Sequence, residues 1–229
     1  AYEFHERLVG SEMCIRDSIA LEILYEDENM LVVNKPSGML THPTTTEREN
    51  TLVNALLYKY GNNLSDINGE FRRGILHRLD RNTSGLLMIA KNNMAHEFLA
   101  EQIKNHTIIK KYRAIVKGNY PNNEDEINLP IGRNPNQPHK MAVREDGKKS
   151  KTLVKVIERF KDFTYLDLTL ITGRTHQIRV HLSYQKFPIY NDTLYGAGQG
   201  KVKTEEQVLQ SYFLRFTKPF GNEIIELQI

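Results

Sequence analysis

Short apolar segments rich in β-forming residues follow one another along most of the chain, and this succession constrains the fold more than any other feature. Strands are predicted at 21–25, 30–34, 75–79, 86–90, 108–117, 140–145, 151–160, 163–171, 211–217 and 223–229. Helices are predicted after the N-cap Thr51, from Asn93 over about three turns, and over 173–184. Because strands mostly follow strands, the pattern predicts an α+β fold with a mixed, mostly antiparallel sheet and flanking helices.

The composition is typical of a globular protein. Of 229 residues, 39% are hydrophobic and 26% are charged, which excludes collagen-like, disordered and coiled-coil classes. No apolar run approaches the roughly 18 residues of a membrane-spanning helix, so no membrane partner is expected. Because Cys14 is the single cysteine, it forms neither an internal disulfide nor a cysteine-rich metal site, and a reducing, cytoplasmic location fits best.

The start of the chain differs from the rest. Residues 1–20 show neither clean alternation nor a capped helical face, and they lack the basic start and apolar stretch of a secretory signal. The segment from Ser11 to Ser18 resembles translated adapter sequence more than protein core. We therefore expect 1–20 to be a non-native or disordered leader and 21–229 to form a single domain.

Positive charge is concentrated in one polar stretch. The net charge of the chain is only +3, but residues 133–155 contain seven cations against Glu145 and Asp146. Such an excess can follow a phosphate backbone. A solvated hairpin tip explains the charges equally well.

Residues 77–85 form the densest polar cluster. Arg78 and Asp80 lie two residues apart, so they project to the same side of an extended backbone. Cations on several sides favour the ionised form of a carboxylate, which suits a nucleophile better than a general acid. The alternative is a surface turn with an exposed ion pair. The position of the cluster between two apolar segments argues against that alternative.

A second polar cluster covers residues 172–181. A helix that begins here presents free backbone N–H groups beside Arg174, which suits phosphate, and brings Arg179 within reach of a cleft. The alternative is a capped helix with solvated arginines. A zinc site is not supported, because His176 and His181 are five residues apart and no glutamate lies between them.

Tyr112 is the third candidate for a functional residue. It shares a strand face with Ala114 and Val116, and a core tyrosine is the usual outcome of such an apolar face. A tyrosine at the base of a pocket stacks instead on a nucleobase, as aromatic residues do in RNA sites. The residue pattern leaves both interpretations open.

Taken together, these segments resemble the RluA-type family of RNA pseudouridine synthases. The matching segments are 34–38, 41–43, 77–87, 111–112, 172–182, 194–196 and 214–219. The combination of the Asp80 segment with the later Gly-Arg-Thr-His-Gln-Ile-Arg string is highly specific. The chain departs from the family pattern at 209–211 and at Tyr190-Asn191, and these departures are expected to affect RNA contacts or packing.

The resemblance implies a pseudouridine synthase fold with a central catalytic cleft. It implies an enzyme that converts uridine in ribosomal or transfer RNA to pseudouridine by base flipping, without a cofactor or metal. Asp80 is then the nucleophile or charge stabiliser, Tyr112 stacks under the base and helps to remove the proton from carbon 5, and Arg179 pairs with Asp80. The residues expected to contact RNA are Lys35, His77, Arg78, Arg81, Lys149, Lys151, Arg174 and His176.

Two other functions are weighed against this one. A glycosidase or nucleosidase normally uses a pair of carboxylates, whereas the polar loop offers Asp80 alone among cations. A non-catalytic RNA-binding or RNA-remodelling protein of the same fold would be expected to have lost Asp80. The resemblance points to members that recognise RNA with the catalytic domain alone, and we expect a monomer.

Overall fold

The computed structural model describes residues 17–196 and 206–229. Within these residues the helices are α1 (Leu52–Tyr60), α2 (Asn93–Lys104) and α3 (Gln177–Tyr184). The strands are β1 (Glu22–Glu26), β2 (Met30–Lys35), β3 (Ser84–Ala90), β4 (Ile109–Lys117), β5 (Glu124–Asn128), β6 (Ile131–Arg133), β7 (Met141–Val143), β8 (Lys151–Arg159), β9 (Phe163–Leu170), β10 (Leu209–Thr217) and β11 (Ile224–Gln228).

Nine of the described strands form one sheet. Its order is β1-β2-β3-β10-β4-β9-β8-β5, and β11 pairs with β10. Every pairing in this sheet is antiparallel except that of β3 with β10, which is parallel. Strands β6 and β7 form a separate two-stranded sheet. The predicted α+β class with a mixed, mostly antiparallel sheet is confirmed.

Helices cover both faces of the large sheet. On one face, α1 and α3 pack Leu56 and Leu182 into a core cluster that also contains Tyr112. On the other face, Leu99 of α2 packs with Phe216 of β10. These contacts bury the apolar stripe of each helix, which supplies most of the stability of short helices. In the described segments, no helix is both long and apolar enough to cross a lipid bilayer.

The predicted strand at 75–79 is wrong. Ile75 forms only an isolated antiparallel bridge with Ile89. On the edge of β3 opposite β2, the backbone ladder ends after this bridge, because the N–H of Met88 donates to the imidazole of His77 (3.2 Å) and not to a backbone carbonyl. Residues 76–83 form an irregular loop instead, and this loop carries Asp80. We call it the Asp80 loop.

The predicted start of the third helix is also wrong, because α3 begins at Gln177 and not at Gly173. His176 has a left-handed backbone φ of 56°. The side chain of Gln177 accepts hydrogen bonds from the backbone N–H of Arg174 (3.0 Å) and from the Thr172 hydroxyl (2.7 Å). These bonds form a turn before the helix, since a side-chain acceptor replaces the missing intrahelical partner.

Two strands were not predicted. Strand β5 buries only Ile127, so its sequence shows no apolar alternation, and β6 is just three residues long. The Asp146-Gly147 pair, which is typical of a turn, follows β7, and the N–H of Gly147 donates to the carbonyl of Arg144 (3.0 Å). However, β7 pairs with β6 and not with β8. Residues 1–16 of the expected leader lie outside the described residues.

Candidate active site

A cleft of about 460 Å³ opens between the Asp80 loop, β4 and the segment that leads into α3. The three residues expected to be catalytic, Asp80, Tyr112 and Arg179, all line it. They come from three separate parts of the chain. The fold therefore brings together the polar clusters that were recognised individually along the sequence.

Asp80 is held by an arginine from α3. The Nη1 atom of Arg179 donates to Oδ2 of Asp80 at 2.9 Å, which is the predicted pairing. The Asp80 side chain is 15% exposed and that of Arg179 is 10% exposed, so water competes little for this ion pair. A charge-assisted hydrogen bond in such surroundings orients the carboxylate firmly.

A second carboxylate holds the same arginine from behind. Arg179 Nε and Nη2 donate to the two oxygens of Asp192 at 2.8 and 2.9 Å. Burial opposes the charge on Arg179, but the hydrogen bonds from Asp192 and the charges of Asp80 and Asp192 outweigh this penalty and raise the pKa of the guanidinium. The arginine therefore stays protonated and bridges two carboxylates. Sequence reasoning missed Asp192, because no spacing signal links it to Asp80.

His176 faces the other oxygen of Asp80. Its Nε2 lies 3.8 Å from Asp80 Oδ1, and its Nδ1 lies 2.7 Å from the hydroxyl oxygen of Tyr195. The backbone N–H of Met141 donates to the same hydroxyl oxygen at 2.9 Å, which leaves the Tyr195 O–H free to donate to His176. Burial lowers the pKa of His176, against the opposing charge of Asp80. A neutral ring that accepts at Nδ1 carries its proton on Nε2, toward Asp80.

Tyr112 lines the cleft from β4. It is buried, and its strand neighbour in β10 is Ser211. Burial raises the pKa of Tyr112 to about 12, and the charge of Asp80 adds to this effect. The phenol is therefore protonated near neutral pH. It offers a ring face and an O–H group, and it accepts a proton only after giving up its own.

The Asp80 loop is braced from β2 by a lysine. Lys35 is fully buried, and its Nζ donates to the carbonyl oxygens of Pro36, Met39 and Arg81 at 2.7, 2.8 and 3.0 Å. Burial lowers the pKa of Lys35 to about 8, against the opposing charge of Asp80. Lys35 has no exposed surface with which to reach RNA. In this conformation it supports the backbone next to Asp80.

Two further side chains fix the same loop. The hydroxyl of Thr41 donates to the Leu79 carbonyl at 2.9 Å, and the amide of Gln207 donates to the Thr83 hydroxyl at 2.7 Å. Within the loop, Thr83 N–H donates to the carbonyl of Asp80 at 3.1 Å. The loop conformation is therefore set by residues distant in sequence. Gln207 was not recognised beforehand, since a lone glutamine carries no pattern.

The other residues expected to contact RNA fall into two groups. Arg78, Arg174 and Lys149 are exposed, and both arginines line the cleft. Arg174 is fixed through its Nε, which donates to the Lys149 carbonyl at 3.1 Å. The two arginines therefore present positive charge in the cleft, and the backbone of Lys149 lies beside Arg174.

The second group is engaged within the protein. His77 accepts at Nε2 from the backbone N–H of Met88 (3.2 Å), and burial, reinforced by the charge of Lys110, lowers the pKa of His77 to about 3. Arg81 pairs with Glu47, and Lys151 pairs with Glu126 at 2.7 Å. These ion pairs are exposed, so they exchange readily for other anions.

The histidines are not arranged as metal ligands. His181 lies 3.0 Å through Nδ1 from the Thr152 hydroxyl and 2.9 Å through Nε2 from the Leu129 carbonyl, whereas His176 faces Tyr195 and Asp80. Among residues 17–196 and 206–229, no three His, Cys, Asp or Glu side chains are grouped so that they could hold a metal ion.

Comparison with known proteins identifies relatives of this arrangement. A family model for RNA pseudouridylate synthase matches residues 29–184. The RNA pseudouridine synthase YlyB of Bacillus subtilis is 44% identical over 214 residues, which cover 93% of this chain and 70% of that protein. The ribosomal large subunit pseudouridine synthase D of Zymomonas mobilis is 44% identical over 195 residues, which cover 84% of this chain and 60% of that protein.

A solved structure shares the fold. Human RNA pseudouridylate synthase domain containing 1 superposes with a TM-score of 0.72 at 27% sequence identity, over 92% of this chain and 83% of that one. The chain spans 60 to 70% of the length of the two bacterial relatives. The similarity covers the Asp80 loop, β4 and α3, which together form the cleft.

Proposed function

The chain belongs to the RNA pseudouridylate synthase family, and on that premise we propose that it isomerises uridine to pseudouridine in RNA at the cleft around Asp80. The observation that carries this proposal is the buried Asp80–Arg179–Asp192 chain of ion pairs beside Tyr112. This arrangement holds the carboxylate of Asp80 in a fixed orientation in the cleft that the ring of Tyr112 also lines. Those are the groups that a reaction at a flipped pyrimidine nucleoside requires.

The reaction begins with access to the base. A uridine that is stacked or paired has to leave the helix, at a cost of a few kcal/mol. Arg78 is exposed at the cleft mouth, where it can occupy the space that the base vacates or hold the displaced strand. Arg78 lies two residues before Asp80 on the same loop, so the side chain that holds the vacated space is next to the catalytic carboxylate.

Asp80 then acts on the extruded nucleoside. It adds as a nucleophile, or it stabilises positive charge at the anomeric carbon while the bond to nitrogen 1 breaks. Arg179 keeps the carboxylate aimed throughout, because Asp192 fixes the arginine from the opposite side. The freed uracil has to stay in the cleft until its carbon 5 joins the ribose, so enclosure of the site matters as much as the carboxylate.

Tyr112 holds the base during this rearrangement. Its ring lies at the cleft wall, where it stacks on the uracil. Formation of the new bond leaves a hydrogen on carbon 5 that has to depart as a proton. Because the phenol is protonated, Tyr112 receives that proton only if its own O–H proton moves on, and Asp80 is the carboxylate of the cleft lining that can accept it.

The RNA substrate is proposed from the relatives and the surface. Several relatives are named ribosomal large subunit pseudouridine synthase D, which supports RNA of the large ribosomal subunit as the first substrate to test. Arg78, Arg174 and Lys149 are the proposed contacts to its backbone, because all three are exposed cations and the two arginines line the cleft. A monomeric state and a cytoplasmic location stay predictions for this chain.

The test measures tritium release from a large-subunit ribosomal RNA transcript made with uridine tritiated at carbon 5. The wild type is expected to release tritium and to retain all uracil in the RNA. Asp80→Asn removes the charge but keeps the size of the side chain, so we expect release to fall by about a thousandfold or more, while the Kd for the RNA changes less than about threefold.

The possible results of this test distinguish a synthase from a hydrolase and from a non-catalytic RNA-binding protein. Free uracil in place of pseudouridine would indicate a hydrolase. Binding without any tritium release by the wild type would indicate a non-catalytic RNA-binding protein. Full activity in Asp80→Asn would refute the role assigned to Asp80, and a melting temperature within a few degrees of the wild type shows that the variant folds.

A further inference from the structure

Lys110 is a buried cation that the reaction described above does not use. It precedes Tyr112 by two residues on β4, so both side chains lie on the same face of the sheet and both line the cleft. Lys110 is 8% exposed. Among the residues that the structure describes, no carboxylate forms an ion pair with its ammonium group and no acceptor receives a hydrogen bond from it.

The surroundings of Lys110 are positive. The charged groups in the cleft lining are Arg78, Lys104, Arg174 and Arg179 together with a single acid, Asp80, which already pairs with Arg179. The neighbouring His77 is uncharged, and the charge on Lys110 is one reason for its low pKa. Burial lowers the pKa of Lys110 itself. An unpaired ammonium in such a place is costly unless a ligand supplies the anion.

The space beside the ammonium is open to a ligand. Gly173 lies opposite Lys110, and a Cβ atom added there would be 3.6 Å from Nζ. The missing side chain leaves room between β4 and the turn before α3. Along a strand, two residues span about 6.6 Å. That separation is comparable to the reach from a pyrimidine ring, stacked on Tyr112, to a phosphate of the same strand.

We propose that Lys110 binds a backbone phosphate of the substrate RNA inside the cleft, next to the uridine that stacks on Tyr112. This proposal rests on the proposed function, since it assumes an extruded nucleotide in the cleft. RNA supplies the anion class that fits a lone ammonium among other cations, because a phosphodiester carries a single charge with two accessible oxygens. The contact forms only when the nucleotide enters, so it favours the extruded state.

The experiment compares wild type with Lys110→Met, which is unbranched and only one atom shorter than lysine and which removes the charge. With the tritiated ribosomal transcript, we expect the KM to rise about tenfold and kcat to stay within about twofold. The slope of log Kd against log salt concentration is expected to become shallower by about 0.7, the value for one phosphate contact on a single strand. Lys110→Arg should recover most of the affinity.

The control is Lys161→Met, which removes one positive charge from an exposed lysine outside the cleft. It should leave the KM and the salt slope at wild-type values. The melting temperature of Lys110→Met should equal or exceed that of the wild type, because a buried unpaired charge has been removed.

The outcomes separate this proposal from the proposed function. If the wild type releases no tritium, the proposed function fails first. If the wild type is active, an unchanged KM and salt slope in Lys110→Met, a loss confined to kcat, a lower melting temperature, or an equal effect of Lys161→Met would each overturn the phosphate site. A rise in KM with a shallower salt slope in Lys110→Met alone supports it.

Discussion

Arg179 joins two carboxylates through opposite sides of one guanidinium. Nη1 binds Asp80, while Nε and Nη2 form the bidentate pair with Asp192. Asp192 is 1% exposed and also accepts from the backbone N–H groups of Leu194 and Tyr195 at 3.1 and 3.2 Å. The two backbone N–H groups hold the Asp192 carboxylate in place, and the bidentate pair in turn restricts the guanidinium of Arg179. Asp192 is therefore a positioning residue for Asp80.

At this scale we predict that Asp192→Asn lowers kcat by about a hundredfold and leaves the KM for RNA within about threefold. The amide retains one acceptor oxygen for the backbone but loses the charge that holds Arg179 in its bidentate geometry. Single-turnover tritium release at saturating enzyme measures this directly. The matched control is Glu226→Gln, which removes the carboxylate of another arginine ion pair, that of Arg215 with Glu226. Because this pair is half-exposed on the sheet, kcat should not change. An active Asp192→Asn enzyme would remove Asp192 from the mechanism.

Among the elements, the junction of β3 and β10 supports the site most directly. Their parallel pairing covers only two residue pairs, Ser84 with Gln210 and Gly85 with Ser211. Gly85 has a φ of 115°, and a Cβ atom there would lie 2.1 Å from the carbonyl oxygen of Ser211. Only glycine permits this approach. The junction connects the end of the Asp80 loop with the strand beside Tyr112.

We therefore expect Gly85→Ala to reduce the free energy of unfolding by at least about 3 kcal/mol, because the added methyl group collides with backbone that cannot move aside. Urea unfolding followed by circular dichroism gives the value. Gly221→Ala is the control, since its nearest contact would be 3.9 Å away and it lies in an exposed turn. A Gly85→Ala protein as stable as the wild type would contradict the assigned geometry of the junction.

The molecule as a whole encloses histidines that stay neutral. Burial, with the charges of Arg78 and Arg72, lowers the pKa of His42 to about 4, and burial lowers that of His77 to about 3. In the described part of the chain, Nδ1 of His42 has no hydrogen-bond partner that would stabilise a charged ring. The unfolded chain binds protons at these histidines below about pH 6.5, whereas the folded chain does not.

The free energy of unfolding should consequently fall as the pH drops from about 6.5 toward 4. In this range the unfolded chain gains protons that the folded chain does not bind, because the pKa of His42 is lower in the folded state. Between pH 7.5 and 5.0, His42 alone accounts for roughly 2 kcal/mol of lost free energy of unfolding. His42→Gln should reduce the measured loss by about that amount, as followed by urea unfolding at both pH values.

Local patterns along the chain were sufficient to predict the fold class, most of the strands, the two polar clusters of the cleft and Tyr112 as a candidate. Alternation in β4 placed Tyr112 on the buried face, and the spacing around Asp80 indicated a carboxylate among cations. These features depend on periodicity and on residues close in sequence, which a single chain displays directly. The family resemblance added the pairing of Asp80 with Arg179, which the structure contains.

The conformation of the Asp80 loop and the roles of Lys35 and Asp192 could be assigned only from contacts between segments that are distant in sequence. The segment 75–79 has the apolar character of a strand, yet beyond the bridge of Ile75 with Ile89 it is a loop, because the side chain of His77 accepts from the Met88 N–H in place of a backbone carbonyl. Lys35 was expected to contact RNA, yet its ammonium group donates its hydrogen bonds to three backbone carbonyls inside the protein. Asp192 acquires its role only from α3 packing beside it. Burial, edge pairing and ion-pair partners are properties of neighbours in space, and the order of residues along the chain does not specify them locally.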